Sequence, residues 1–84
     1  MMTNDAPPEA RALATRNVKG ILKSELKRRE MTYADLSEKL ALLGVHETEA
    51  NLRNKISRGS FTAAFFVQCL LAMGCRGIRI APPD

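Results

Sequence analysis

Apolar residues recur along this chain at spacings of three and four, in runs separated by threonine, glycine and short polar links. Ala14, Val18, Ile21, Leu22 and Leu26 build one stripe, which predicts a first helix over about 14–29. Thr32-Tyr33-Ala34-Asp35 has the form of an N-cap box, and it opens a second helix over about 33–43. Leu36, Leu40 and Leu43 form the inner face of that helix, and Gly44 ends it. A third helix is expected over about 48–57, with Leu52 and Ile56 inward and Gly59 as the left-handed residue that closes it. Phe61-Thr62 leads into a fourth helix over about 63–73, stopped by Gly74. The alternation Ile78-Arg79-Ile80 predicts a short strand over about 76–80.

These elements predict an all-α fold, a compact bundle of four short helices with a short C-terminal strand. Residues 1–13, with their Pro7-Pro8 pair and no apolar period, read as a flexible lead-in with at most a loose helical turn at Pro8, Glu9 and Ala10. One domain is expected over 14–80, followed by a tail over 81–84. Gly20, inside the first helix, costs about 1 kcal/mol relative to alanine. It is either a point of close helix approach or simply tolerated.

Composition narrows the function classes. The chain has 84 residues, 13 of them Lys or Arg against 9 Asp or Glu, for a net charge of +4 and a pI near 9.5. The balance favours a polyanionic partner. Cys69, Cys75 and the single His46 cannot supply the four ligands of a zinc site, so no metal or other cofactor is expected. The cysteines read as reduced thiols. No basic segment precedes an apolar one at the start, and the apolar run over 61–73 is too short to span a bilayer and is broken by Gln68. A soluble cytoplasmic protein without a membrane partner is the expectation. His46 and Glu47 have no further histidine or nucleophile beside them, so His46 is read as a turn residue and the chain as a non-enzyme.

The third helix carries the chemistry. Beside Leu52 and Ile56 it presents Glu49, Ala50, Asn51, Arg53, Asn54, Lys55, Ser57 and Arg58. Asn and Arg make bidentate hydrogen bonds to adenine and guanine edges in the major groove, and small neighbours permit close approach. Glu49, Ala50, Asn51, Arg53 and Asn54 are therefore the candidate base readers. Lys55, Ser57 and Arg58, with Lys19, Lys23 and Lys27 on the first helix, are candidates for phosphate oxygens.

Met31–Leu40 resembles the opening of the phage-repressor helix-turn-helix (the Cro/lambda-repressor-like, XRE-type family), with its threonine cap followed by spaced leucines. Asn51-Leu52-Arg53-Asn54-Lys55-Ile56-Ser57-Arg58-Gly59, then Phe61-Thr62 and Met73-Gly74-Cys75, is similar to a variant of the same family. Over roughly 18–80 the chain also resembles a family of small bacterial proteins known as an uncharacterised domain. The resemblance implies a four-helix repressor-like fold and a transcriptional regulator of double-stranded DNA. It adds Thr32 and Tyr33, at the start of the second helix, to the phosphate candidates; packing against the first helix is an equal role for Tyr33. The sequence departs from the family in its link between the second and third helices, which Ala41-Leu42-Leu43 and His46–Glu49 lengthen.

The fourth helix is too apolar for one stripe. Phe66, Cys69, Leu70 and Met73 fill an inward face, leaving Phe65, Val67 and Leu71 outside. With Ile78 and Ile80 on an unpaired strand, these are candidate contacts of a homodimer whose strands pair as a ribbon. Two copies would place recognition helices about 34 Å apart on a palindromic site. The alternative is a protein-interaction or antitoxin-like module that keeps the fold without DNA contact.

Overall fold

The computed structural model describes residues 8–80, which form four helices: α1 Pro8–Arg28, α2 Tyr33–Leu42, α3 Glu49–Arg58 and α4 Ala63–Met73. α1 starts six residues before the expected position of Ala14. Pro8 suits the first turn of a helix, where its missing N–H has no partner to lose, and Glu9 complements the positive end of the helix dipole. Residues 8–12 are exposed, so no apolar period announces them. The remainder of the expected lead-in, 1–7, and the tail over 81–84 lie outside the described residues.

The other three helices begin on threonine. The hydroxyls of Thr32, Thr48 and Thr62 accept from the backbone N–H of Asp35, Asn51 and Phe65 at 3.0, 3.1 and 3.0 Å. At α2 the box is complete, because the Asp35 carboxylate also accepts from the Thr32 N–H at 2.9 Å. That backbone N–H holds the Asp35 carboxyl below its ordinary pKa. Three helices end in one pattern, in which an N–H two or three residues past the helix donates back across the last turn. Met31 donates to Leu26, Val45 to Leu40 and Cys75 to Leu70, at 2.9–3.0 Å. The left-handed residue each ending requires is Glu30 after α1 (φ 54°), Gly44 after α2 and Gly74 after α4.

α1 packs on α3 and α4, and α2 packs on the same pair from another side. Leu22 and Leu26, Leu36 and Leu40, Leu52 and Ile56, and Phe65, Cys69 and Met73 meet in one core. Leu43, expected on the inner face of α2, is 52% exposed. The helix ends at Leu42 and the backbone turns at Leu43, which takes its side chain out of the helical phase. In α4 the phase also differs from expectation. Phe65 is buried at 6% exposure, whereas Phe66 is half-buried. The Thr62 cap sets the helix so that Phe65, Cys69 and Met73 line up at four-residue intervals toward the core. Phe61 covers both rings, at 5.2 Å from Phe65 and 6.2 Å from Phe66. Phe65 is therefore withdrawn from the interface candidates, while Val67 and Leu71 stay exposed.

Among the described residues there is no strand. Residues 75–80 have no regular secondary structure, and Ile78 and Ile80 are exposed. A strand needs a backbone partner, and the single chain supplies none. No single helix among the described residues is long and apolar enough to cross a membrane.

Candidate nucleic-acid interface

α3 is held at both ends by its own chain. Thr48 caps its start, and Gly59, at φ 69°, closes it in the left-handed region. Gly59 is also a crossing point: a Cβ there would lie 2.7 Å from Thr15 Cγ2 and 3.1 Å from the Thr15 carbonyl oxygen of α1. Only glycine lets the end of α3 seat this close to α1. Gly20 has the opposite character, since a Cβ there meets nothing within 4 Å; it marks no close approach.

With Leu52 and Ile56 inward, the ten residues of α3 sort their polar side chains into three directions. Ala50, Asn54, Ser57 and Arg58 are exposed and share the face opposite the core. Glu49 and Arg53 turn toward an open groove whose other walls are Lys23 and Lys27 of α1 and Thr32 and Tyr33 at the start of α2. Arg53 Nη2 donates to Glu49 Oε2 at 2.8 Å, and its guanidinium carbon lies 5.6 Å from the centre of the Tyr33 ring. Asn51 lies on the other flank, beside Ser37, Ala41 and His46.

Two expected phosphate contacts are otherwise employed. Lys55 Nζ pairs with Glu47 Oε2 at 2.6 Å and sits 4.8 Å from the centre of the Phe65 ring, so its charge is spent inside the fold. Lys19 Nζ donates to the Ser57 carbonyl oxygen at 2.9 Å, satisfying a free carbonyl in the last turn of α3. The structure thus brings Lys23, Lys27, Thr32 and Tyr33 together with Glu49 and Arg53, and separates Lys19 and Lys55 from them.

The long link between α2 and α3 is fastened by Ser37 and Glu47, which no motif or spacing marks out, together with Lys55. Ser37 Oγ donates to the Glu47 carbonyl oxygen at 2.6 Å, and the Glu47 carboxylate holds Lys55. Glu47 and Lys55 are eight residues apart in sequence, too far for a pair within one helix, so no local spacing rule reveals them. Glu25 was likewise invisible. It is buried at 7% exposure near the end of α1, where Arg28 and Arg29 both donate to it. The Arg28 hydrogen bond is the main reason its pKa lies below the ordinary value, against the opposing effect of burial. Burial pushes the Cys69 thiol up to about 12, so it stays protonated and packs as an apolar group. Among the described residues no three His, Cys, Asp or Glu side chains gather as a metal site.

A family model described as a domain of unknown function, DUF6471, matches residues 14–78. The chain belongs to the DUF6471 family. The matched span holds the groove of Lys23, Lys27, Thr32, Tyr33, Glu49 and Arg53, the whole of α2 to α4, and the Gly59–Thr15 crossing. The first six residues of α1 and Ile80 fall outside it. No curated protein and no solved structure matches the chain.

Proposed function

We propose that this DUF6471 domain is a sequence-specific DNA-binding regulator, a repressor whose helix-turn-helix is formed by α2 and α3. The observation that carries this reading is the convergence of Lys23, Lys27, Thr32 and Tyr33, from two other helices, on the groove beside Glu49 and Arg53. Next to that groove, Ala50, Asn54 and Arg58 form an exposed polar face with a small residue at its start. Asn54 and Arg53 have the chemistry of base-edge readers, and Lys23 and Lys27 that of phosphate contacts. No chemical step is assigned to the domain, which acts by binding in the cytoplasm without a cofactor.

The domain acts as a homodimer on a palindromic site in this reading. Support comes from the exposed apolar side chains of Val67, Leu71, Ile78 and Ile80, and from a C-terminal segment that would gain backbone partners by pairing with its copy. Selection of bound sequences from random duplexes tests both parts. A palindromic enriched motif is expected, with Asn54→Ala lowering affinity for it by about 1–3 kcal/mol. No duplex binding in gel shifts at low salt would overturn the reading. Leu42 and Leu43, exposed at the lengthened link, favour a second reading as a protein-interaction or antitoxin-like module. Stoichiometric capture of one protein partner that survives high salt would support that alternative, since phosphate contacts do not survive it.

A further inference from the structure

Arg53 is the one cation of the groove that is held on two sides. Glu49, one turn earlier on α3, takes one of its N–H groups at 2.8 Å, and the Tyr33 ring of α2 lies 5.6 Å beneath its guanidinium. Both Glu49 and Arg53 side chains are about half exposed, so the ion pair itself is weak and readily exchanged. A guanidinium has five donors, and Glu49 uses one through Nη2, which leaves the others for an incoming acceptor. Lys23 and Lys27 line the same groove and attract phosphate without regard to sequence. Glu49 adds a fixed negative charge among these cations, repelling any phosphate that approaches Arg53.

Resting on the DNA-binding reading above, we infer that Tyr33 and Glu49 are positioning residues that make Arg53 selective: Tyr33 orients the guanidinium plane and Glu49 denies it to phosphate oxygens. A planar, two-acceptor edge such as guanine O6 and N7 can take both outward donors of a guanidinium so oriented. A phosphate beside it gains less, because the Glu49 carboxylate opposes the extra negative charge. The expected role of Tyr33 as a phosphate ligand through its hydroxyl is replaced here by support through its ring. Glu49 is likewise moved from base reader to filter.

The test uses the full chain, the duplex enriched by selection and a scrambled duplex of the same length, each titrated at several salt concentrations. Thermal melts confirm that each variant is folded. Tyr33→Leu is expected to lower the ratio of selected to scrambled affinity by about tenfold while leaving the salt slope unchanged. Tyr33→Phe, which keeps the ring and loses the hydroxyl, is expected to restore that ratio. Glu49→Gln is expected to tighten scrambled-duplex binding several-fold and so lower the ratio from the other side. If Tyr33→Phe weakens both duplexes equally, the hydroxyl is a phosphate ligand and the inference is overturned. An unchanged ratio in Glu49→Gln overturns the filter. Failure of the wild-type chain to bind any duplex overturns the function reading and this inference together, whereas wild-type binding with unaltered ratios overturns this inference alone.

Discussion

Helices α3 and α4 are nearly equal in length, 10 and 11 residues, and are punctuated alike. Each starts on a threonine whose hydroxyl takes the N–H three residues on, and each closes on a glycine near φ 70°. Their surfaces are opposite. α3 buries Leu52 and Ile56 and leaves its other side chains polar, apart from Ala50. α4 buries Phe65, Cys69 and Met73 and still leaves Val67 and Leu71 in the open. Where a helix begins and ends is settled by a few local hydrogen bonds, so its exposed residues are released from that duty. The polar surplus of α3 and the apolar surplus of α4 therefore point to what lies outside the chain, and in the reading proposed here these are DNA and a second copy.

The largest effect expected from this contrast lies within α4 itself. Phe65→Ala empties a buried site among Phe61, Cys69 and Met73 and should cost about 3–5 kcal/mol in denaturant titration. Leu71→Ser, at 62% exposure, should change the stability of the monomer by no more than about 0.5 kcal/mol. Light scattering with size-exclusion chromatography would then show whether Leu71→Ser shifts the assembly toward 9.3 kDa, as the dimer reading requires. Equal losses for the two variants would erase the distinction between the inner and outer faces of α4.

The two closing glycines separate next. Gly74→Ala meets only the left-handed backbone penalty, about 1–2 kcal/mol, because nothing lies within 4 Å of its Cβ position. Gly59→Ala adds a clash with Thr15 Cγ2 at 2.7 Å and should cost about 2–4 kcal/mol. Thr15→Ser, which removes that methyl, should recover part of the Gly59→Ala loss and none of the Gly74→Ala loss. Melting curves of the four variants decide the matter. Equal costs at the two glycines would show that α3 is not wedged on α1.

Acid should act on the domain through the ends of α1 and α2. Glu25 and Asp35 both have pKa values below their ordinary ones, the first chiefly through Arg28 and the second through the Thr32 N–H. A carboxylate whose folded pKa is depressed adds stability that is complete above its unfolded pKa and is lost as pH falls through the folded value. Stability is thus expected to be flat near neutrality and to decline below about pH 4.3. Glu25→Gln should flatten that decline when unfolding free energy is followed against pH. An undiminished acid slope in this variant would remove Glu25 from the account.

Much of this fold is legible in the residues. Thr32, Thr48 and Thr62, with Gly44, Gly59 and Gly74, mark the bounds of α2 to α4 within a residue or so, because capping is a local interaction. Leu22, Leu26, Leu36, Leu40, Leu52 and Ile56 follow from spacing, whereas Ala14 of the expected α1 stripe is exposed, Val18 and Ile21 are half-buried outside the core, and Leu43 falls where the helix stops. In α4 almost every residue is apolar, so spacing alone could not choose between Phe65 and Phe66. Glu47 and Lys55, Gly59 and Thr15, and Arg53 and Tyr33 are tertiary pairs, and nothing in the separations along the chain announces them. The groove was half legible: the residue types were named, but which cations stayed free of the fold depended on those pairs.

The smallest expected effect concerns the helix end that departs from the pattern. α1 closes with the same return hydrogen bond as α2 and α4, from Met31 to Leu26, but its left-handed position at φ 54° is Glu30 instead of glycine. A side chain in that region costs about 1–2 kcal/mol, from which the greater unfolded-state freedom of glycine takes back about 0.5–1 kcal/mol. Glu30→Gly should therefore stabilise the domain by about 0.5–1 kcal/mol, read as a shift in denaturation midpoint at unchanged slope. Glu30 is exposed, and it follows the cations Lys27, Arg28 and Arg29. Glu30→Gln separates its charge from its backbone conformation. A Glu30→Gln variant as stable as the original, beside a more stable Glu30→Gly, would assign the whole cost to φ. If Glu30→Gly instead destabilises, the carboxylate at the end of α1 outweighs the strain, and the three return-bonded helix ends are not energetically alike.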